Sequence, residues 1–90
     1  MANHKSAEKR NRQAQIRRQR NKMNRKAMKT VVRKFNKTLE TGSVEESQEA
    51  LRAASKIIAK TARKGTIHKK KASRKISRLT KRLKAAEAAA

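Results

Sequence analysis

Thr41 to Gly65 reads TGSVEESQEALRAASKIIAKTARKG, and its punctuation and periodicity decide the fold. Gly42 and Gly65, the only glycines in a chain that lacks proline, bracket a helix signalled at both ends. Ser43 followed three residues later by Glu46 is a capping box. Glu45 and Glu49 add negative charge near the start, and Arg63 and Lys64 complement the end of the helix dipole. Between these limits Val44, Leu51, Ala54, Ile58 and Ala62 form one line, with Ala50 and Ile57 flanking it. At about 100° per residue that apolar arc has the width to touch two neighbours. The segment is expected to be the middle helix of a bundle.

Working outward, the first segment is expected to be helical over 6–40, with Ser6 as N-cap and Glu8 in its first turn. Met28, Val32, Phe35 and Leu39 make its apolar stripe, with Val31 beside it. Toward the N-terminus the same line carries Asn24, Asn21 and Arg17, so the stripe stops there. Ile16, Met23 and Ala27 form a weaker, displaced line suited to a shallow contact. The third segment, 67–86, has Thr66 as its expected cap and a stripe of Ala72, Ile76, Leu79 and Leu83. Ile67 lies off that stripe and Lys69 falls toward the core side at the start of the helix. A middle helix over 44–64 completes the set, and residues 85–90 read as a short Ala-rich tail. Two Gly-containing turns and no alternating β-branched run predict an all-α, three-helix antiparallel bundle in a single domain. At ~1.5 Å per residue the first helix spans about 50 Å and the others a little over 30 Å. Its N-terminal portion, a basic arm over 5–26, must therefore overhang.

The charge balance indicates the partner. Twenty-eight Lys and Arg against six Glu give a formal charge of +22 on 90 residues, a self-repulsion that points to nucleic acid. Lys5 to Lys26 alone holds ten Lys or Arg, with Glu8 as its only acid. Like charges at i,i+3 and i,i+4 destabilise an isolated helix, and a polyanion would supply the counter-charge. Leu, Ile, Val and Phe number only thirteen, a small core that leaves stability dependent on a partner. The absence of cysteine removes disulfides and Cys-containing zinc modules. His4 and His68 have no second ligand at metal-binding spacing and read as phosphate or turn contacts. No paired carboxylates, Ser-His-Asp set or phosphate-cradling Gly loop occurs, so neither enzymatic activity nor a cofactor is expected. The start MANHKSAEKR has no apolar run behind its charges and reads as neither signal peptide nor membrane segment.

Phe35 is the only aromatic residue and lies on the core stripe, so base stacking is not available. Recognition is expected through phosphates and shape, by twelve Arg side chains supported by Asn3, Asn11, Gln13, Gln15, Gln19, Asn21 and Asn24. A folded RNA with close-set phosphates is the densest target for a long basic rod. A DNA-compacting protein would share the charge but would more commonly carry an exposed Pro or Phe wedge. A membrane-active helix would need a broad apolar face, and the arm has only Ile16 and Met23 as large apolar side chains.

At this point the residues resemble a known family. MANHKSAEKR and KGTIHKKKASRKISRL, with Arg20-Asn21, Arg25, Lys29-Thr30 and the Leu39-Glu40-Thr41-Gly42 turn between them, are similar to the bacterial ribosomal small-subunit protein twenty family over nearly the whole chain. The chain departs from that family at Lys70, where Asn is common, and at His4, where an apolar residue is common. The resemblance implies a structural protein, present as a single copy in the cytoplasmic small ribosomal subunit. It would bind 16S ribosomal RNA directly in the lower body and hold converging RNA helices by neutralising phosphates. It implies contacts from Lys5, Lys9, Arg10, Arg12, Arg17, Arg18, Arg20 and Arg25 on the first helix, and from His68, Lys69, Lys71, Arg74, Lys75 and Arg78 on the third. The middle helix, mixing Glu45, Glu46 and Glu49 with Arg52, Lys56 and Lys60, would face RNA least. No metal, membrane or small-molecule substrate is implied.

Overall fold

The computed structural model describes residues 2–89, with side chains from residue 5 onward, so the side chains of Asn3 and His4 lie outside the described residues. Three helices follow one another: α1 (Ala2–Thr41), α2 (Val44–Arg63) and α3 (Lys69–Ala89). Helix α2 packs against both α1 and α3. The antiparallel sense shows in the side chains. Gln48 near the start of α2 donates to Glu87 near the end of α3 at 3.1 Å, and Asn24 in mid-α1 donates to Thr66 just beyond α2 at 3.0 Å. The first and third helices therefore run parallel, with Arg82 Nη1 donating to Asn36 Oδ1 at 3.0 Å.

The three stripes meet in one core of Met28, Phe35, Ala54, Ile58, Ile67, Ala72, Leu79 and Leu83, against which Val31, Val32, Leu39, Ala50, Leu51, Ala62 and Ile76 pack. Phe35 and Ile58 are fully buried at its centre. The line on α2 is more polar than its apolar residues suggest, because Ser47 and Thr61 are buried within it. Each donates to the carbonyl four residues back, Ser47 to Ser43 at 3.0 Å and Thr61 to Ile57 at 2.8 Å. That local bond satisfies the hydroxyl within its own segment, and Ser47 Oγ also stands 3.5 Å from Thr38 O of α1. No buried side-chain polar atom among the described residues lacks a partner.

Several sequence expectations are corrected. Ser6 is not a cap: α1 runs through it from Ala2, since no Gly or Pro interrupts the arm and extending a helix costs far less than starting one. Val44 is 41% exposed, because it stands on the first turn of α2, where α1 has already ended. Ile16 and Met23 are 49% and 65% exposed, so their expected contact is not made. Helix α3 continues through Ala89 into the Ala-rich stretch read as a tail, alanine being the strongest helix former.

The largest correction concerns the turn before α3. Gly65 adopts φ 80, its N–H donates to Ala62 O at 3.0 Å, and the Thr66 N–H donates to Thr61 O at 3.2 Å. This is a Schellman motif, which requires a left-handed residue and reverses the chain after the helix. The reversal carries Ile67 into the core, where it is 8% exposed, although helical periodicity placed it off the stripe. Thr66 does not cap α3, which starts at Lys69. His68 takes that role: its Nδ1 accepts from Lys70 N at 3.1 Å, and its carbonyl accepts from Ala72 N at 3.1 Å. The other turn works differently. Ser43 does cap α2, accepting from Glu46 N at 3.2 Å. Gly42 is needed there for space, since a Cβ would stand 2.8 Å from Thr38 O and 2.6 Å from the Glu46 carboxylate.

Two substitutions test this core. Ile58→Ala should destabilise the bundle by about 2–5 kcal/mol and lower helical circular dichroism, and unchanged helicity and melting would contradict the three-sided packing. Gly42→Ala should cost roughly 1–3 kcal/mol by thermal melting, because the obstructing atom is backbone.

Candidate nucleic-acid interface

The molecule measures 68 × 22 × 13 Å and exposes 7560 Å², where a compact globule of its mass would expose about 5,300 Å². Much of the excess is the arm, in which every described residue from Lys5 to Arg20 is exposed. Its charges surround the helix rather than forming one face. A helix polar all round bridges to something outside the fold or draws no packing energy.

Farther along, the charges become ordered. Arg18, Lys22, Arg25, Lys29 and Arg33 step by four, three, four and four residues, so they form one line along α1. Lys71, Lys75, Arg78 and Arg82 step by four, three and four along α3. The two lines flank the seam between these parallel helices. Val32, Leu79, Lys75, Arg78 and Arg82 line one part of a surface groove there, and Met28, Val32, Lys29, Arg33 and Lys75 line the next. The floor is apolar, the walls are cationic, and no carboxylate lines either part. Asn36, accepting from Arg82, fixes one guanidinium across the seam.

The residues expected to bind are divided by this geometry. Arg18 and Arg25 on α1, with Lys71, Lys75 and Arg78 on α3, fall on the two lines, and of these Lys75 and Arg78 line the groove itself. Arg10 and Arg17 lie instead on the continuation of the core stripe, while Lys5, Lys9 and Arg12 lie on the opposite side of the arm. Arg20 faces the corner after α2, and Lys69 lines the α2–α3 side with Ala59, Ala62 and Ile76. Arg74 is exposed on the face of α3 away from the core. His68 is exposed with its Nδ1 occupied by the helix cap, which leaves Nε2 as the outward ring nitrogen. Lys29, Arg33 and Arg82 line the groove, Lys22 extends the α1 line beyond it, and all four were missed in the sequence reading. Their signal was the four-three-four spacing of cations, hidden because both helices carry many others.

The direction of the arm is set by side chains at its base. Thr66 Oγ1 donates to Asn21 Oδ1 and accepts from Asn24 Nδ2, each at 3.0 Å. Asn21 and Asn24 occupy the line where the apolar stripe of α1 ends, so the packing seam continues for one turn as hydrogen bonds. Five of the six carboxylates collect at the other end, Glu8 on the arm being the exception. Glu40, Glu45, Glu46 and Glu49 surround the α1–α2 turn, and Glu87 lies beside Gln48. The bundle is thus polarised, with its mixed-charge end away from the arm. Among the described residues no group of three potential metal ligands occurs, and no helix is long and apolar enough to cross a membrane.

Residues 2–84 match the family described as Ribosomal protein S20. The chain is 65% identical over 89 residues to the small ribosomal subunit protein bS20 of Desulfotalea psychrophila, covering 99% of this chain and 100% of that one. It is 51% identical over 86 residues to the protein of the same name from Desulfosudis oleivorans, covering 96% and 98%. Identity to that from an Anaeromyxobacter species is 53% over 81 residues, covering 90% and 89%.

If the groove is the main anionic track, Arg33→Ala and Arg82→Ala should each elute earlier in salt from an immobilised polyanion than Lys56→Ala, which removes a cation from the outer face of α2. Equal shifts for all three would mean that only net charge matters.

Proposed function

The chain belongs to the ribosomal protein S20 family, and from that premise we propose that it is a structural constituent of the small ribosomal subunit that binds 16S ribosomal RNA directly, as a single cytoplasmic copy. The observation that carries the RNA reading is the pair of cationic lines flanking the α1–α3 groove, continued by the arm. The α1 line of these nine cations runs from Arg18 to Arg33, about 22 Å at ~1.5 Å per residue, a length that suits a polyanion rather than a small ligand. Arg forks bridge phosphate oxygens in pairs, and Lys ammonium groups act as point charges beside them.

Binding offsets an electrostatic cost already present in the protein. The Cβ atoms of neighbouring cations on each line stand about 5–6 Å apart, on the scale of a Debye length of about 8 Å at physiological salt. They repel one another in the free protein, and condensed counterions leave the RNA when they bind. The arm projects beyond the bundle and reaches phosphates that the groove does not. Held between the two regions, RNA segments are fixed relative to each other. No bond is made or broken in this role. It consists of positioning and charge neutralisation, and its product is one arrangement of the RNA.

With roughly 6–10 phosphate contacts, affinity for 16S RNA should fall by about 10³- to 10⁵-fold between 50 and 200 mM salt. Filter binding or fluorescence anisotropy across that range measures it, and a nearly flat dependence would remove the mechanism. Arg17→Ala and Arg74→Ala should each weaken binding while leaving the helicity of the free protein unchanged.

A further inference from the structure

Where the arm leaves the bundle, α1 and the corner after α2 enclose an open notch of about 560 Å³. Arg17, Arg20, Asn21, Asn24, Lys64 and Gly65 line it, with Met23 as the one large apolar side chain. Three of these are cations and none is a carboxylate, so the notch concentrates positive charge with no internal counter-ion. It lies on the α2 side of α1, separate from the α1–α3 groove.

The polar side chains here form a directed chain. Lys64 Nζ donates to Asn24 Oδ1 at 3.4 Å, Asn24 Nδ2 donates to Thr66 Oγ1 at 3.0 Å, and Thr66 Oγ1 donates to Asn21 Oδ1 at 3.0 Å. Asn24 and Thr66 each give and receive, and Thr66 does both through one hydroxyl, so the link between the two asparagines depends on it. The arrangement holds Lys64 over the notch with one of its three N–H donors committed. Beside it, Gly65 has φ 80 and nothing within 4 Å of where a Cβ would stand, so the backbone is open to close approach by a ligand.

We propose that this notch seats one phosphodiester of the bound RNA, contacted by Arg17, Arg20 and Lys64, with Asn21, Asn24 and Thr66 as positioning residues. This assigns Lys64 and the Asn–Thr–Asn set a part in recognition, and it rests on the RNA reading above. Two guanidinium forks and one ammonium suit the non-bridging oxygens of a tetrahedral anion. The notch also lies at the junction of arm and bundle, where an RNA strand passing from one to the other must cross. The hydrogen-bonded chain makes the seat dependent on the angle of the arm. An anion held there in turn keeps the arm against the corner.

The test uses the full-length protein and 16S RNA, with affinity measured across a salt series. Lys64→Gln should lower the slope of log affinity against log salt by about 0.7–0.9, equivalent to a roughly four- to fivefold weaker Kd at 0.15 M salt. Lys56→Gln, on the outer face of α2, should leave the slope unchanged. Thr66→Val should weaken binding with unaltered helicity, Thr66→Ser should restore it, and Lys64→Gln should cost less in the Thr66→Val background than alone. A Lys64→Gln slope matching that of Lys56→Gln overturns the seat, as does simple additivity of the two substitutions or failure of Thr66→Ser to restore affinity. If the unmodified protein itself showed no salt-dependent binding, the RNA reading would fall and the seat with it. A steep slope in the unmodified protein beside a silent Lys64→Gln removes the seat alone.

Discussion

The structure depends on α2 burying two sides at once. With so few large apolar residues in the chain, no two helices could form an adequate core by themselves. Ala54 and Ile58 are fully buried because α1 approaches α2 from one side and α3 from the other. Phe35 from α1 and Leu79 and Leu83 from α3 join Ala54 and Ile58 in one buried cluster. Ser47 and Thr61 can share this line because each hydroxyl bonds to the carbonyl four residues back. Their hydrogen-bonding needs are met before the neighbours pack.

That arrangement leaves α1 and α3 parallel, with a seam whose rims are positive on both sides. A bundle of this size cannot distribute +22 without placing like charges side by side. The apolar stripes occupy one face of each helix, so the cations take the remaining arc, and packing α1 beside α3 brings two of their rows together. The same constraint explains the arm. Its sequence has too few apolar residues to bury, so it extends past α2 and α3 with its charges exposed. The Thr66 hydroxyl, held between Asn21 and Asn24, determines how the arm departs.

Much of this was legible from residues. Periodicity located Phe35, Ile58, Leu79 and Leu83 in the core, since each lies on a regular helical stripe. Ser43 was readable as a cap and Gly65 as the limit of α2, because each role depends on a few neighbouring residues. Ile67 was not readable, for it precedes α3 and helical periodicity says nothing about a loop residue. Thr66 was misassigned for a related reason: a threonine after glycine is a plausible cap locally, and only the distant Asn21 and Asn24 reveal its actual bonds. In the candidate interface, the density of charge on the arm was plain, but Lys22, Lys29, Arg33 and Arg82 could not be singled out. Their grouping exists only once two helices lie beside each other.

The sequence by itself therefore determined the helical class, the middle position of α2, the apolar stripes and an overwhelmingly cationic surface. These follow from local periodicity, capping chemistry and composition, which act over a few residues. Tertiary structure decided which cations share a groove, how the arm is aimed, where the notch beside Lys64 forms and why Ile67 is buried. Those features arise from the chain reversal at Gly65 and from side chains more than forty residues apart, such as Asn24 and Thr66, whose meeting depends on how the helices dock.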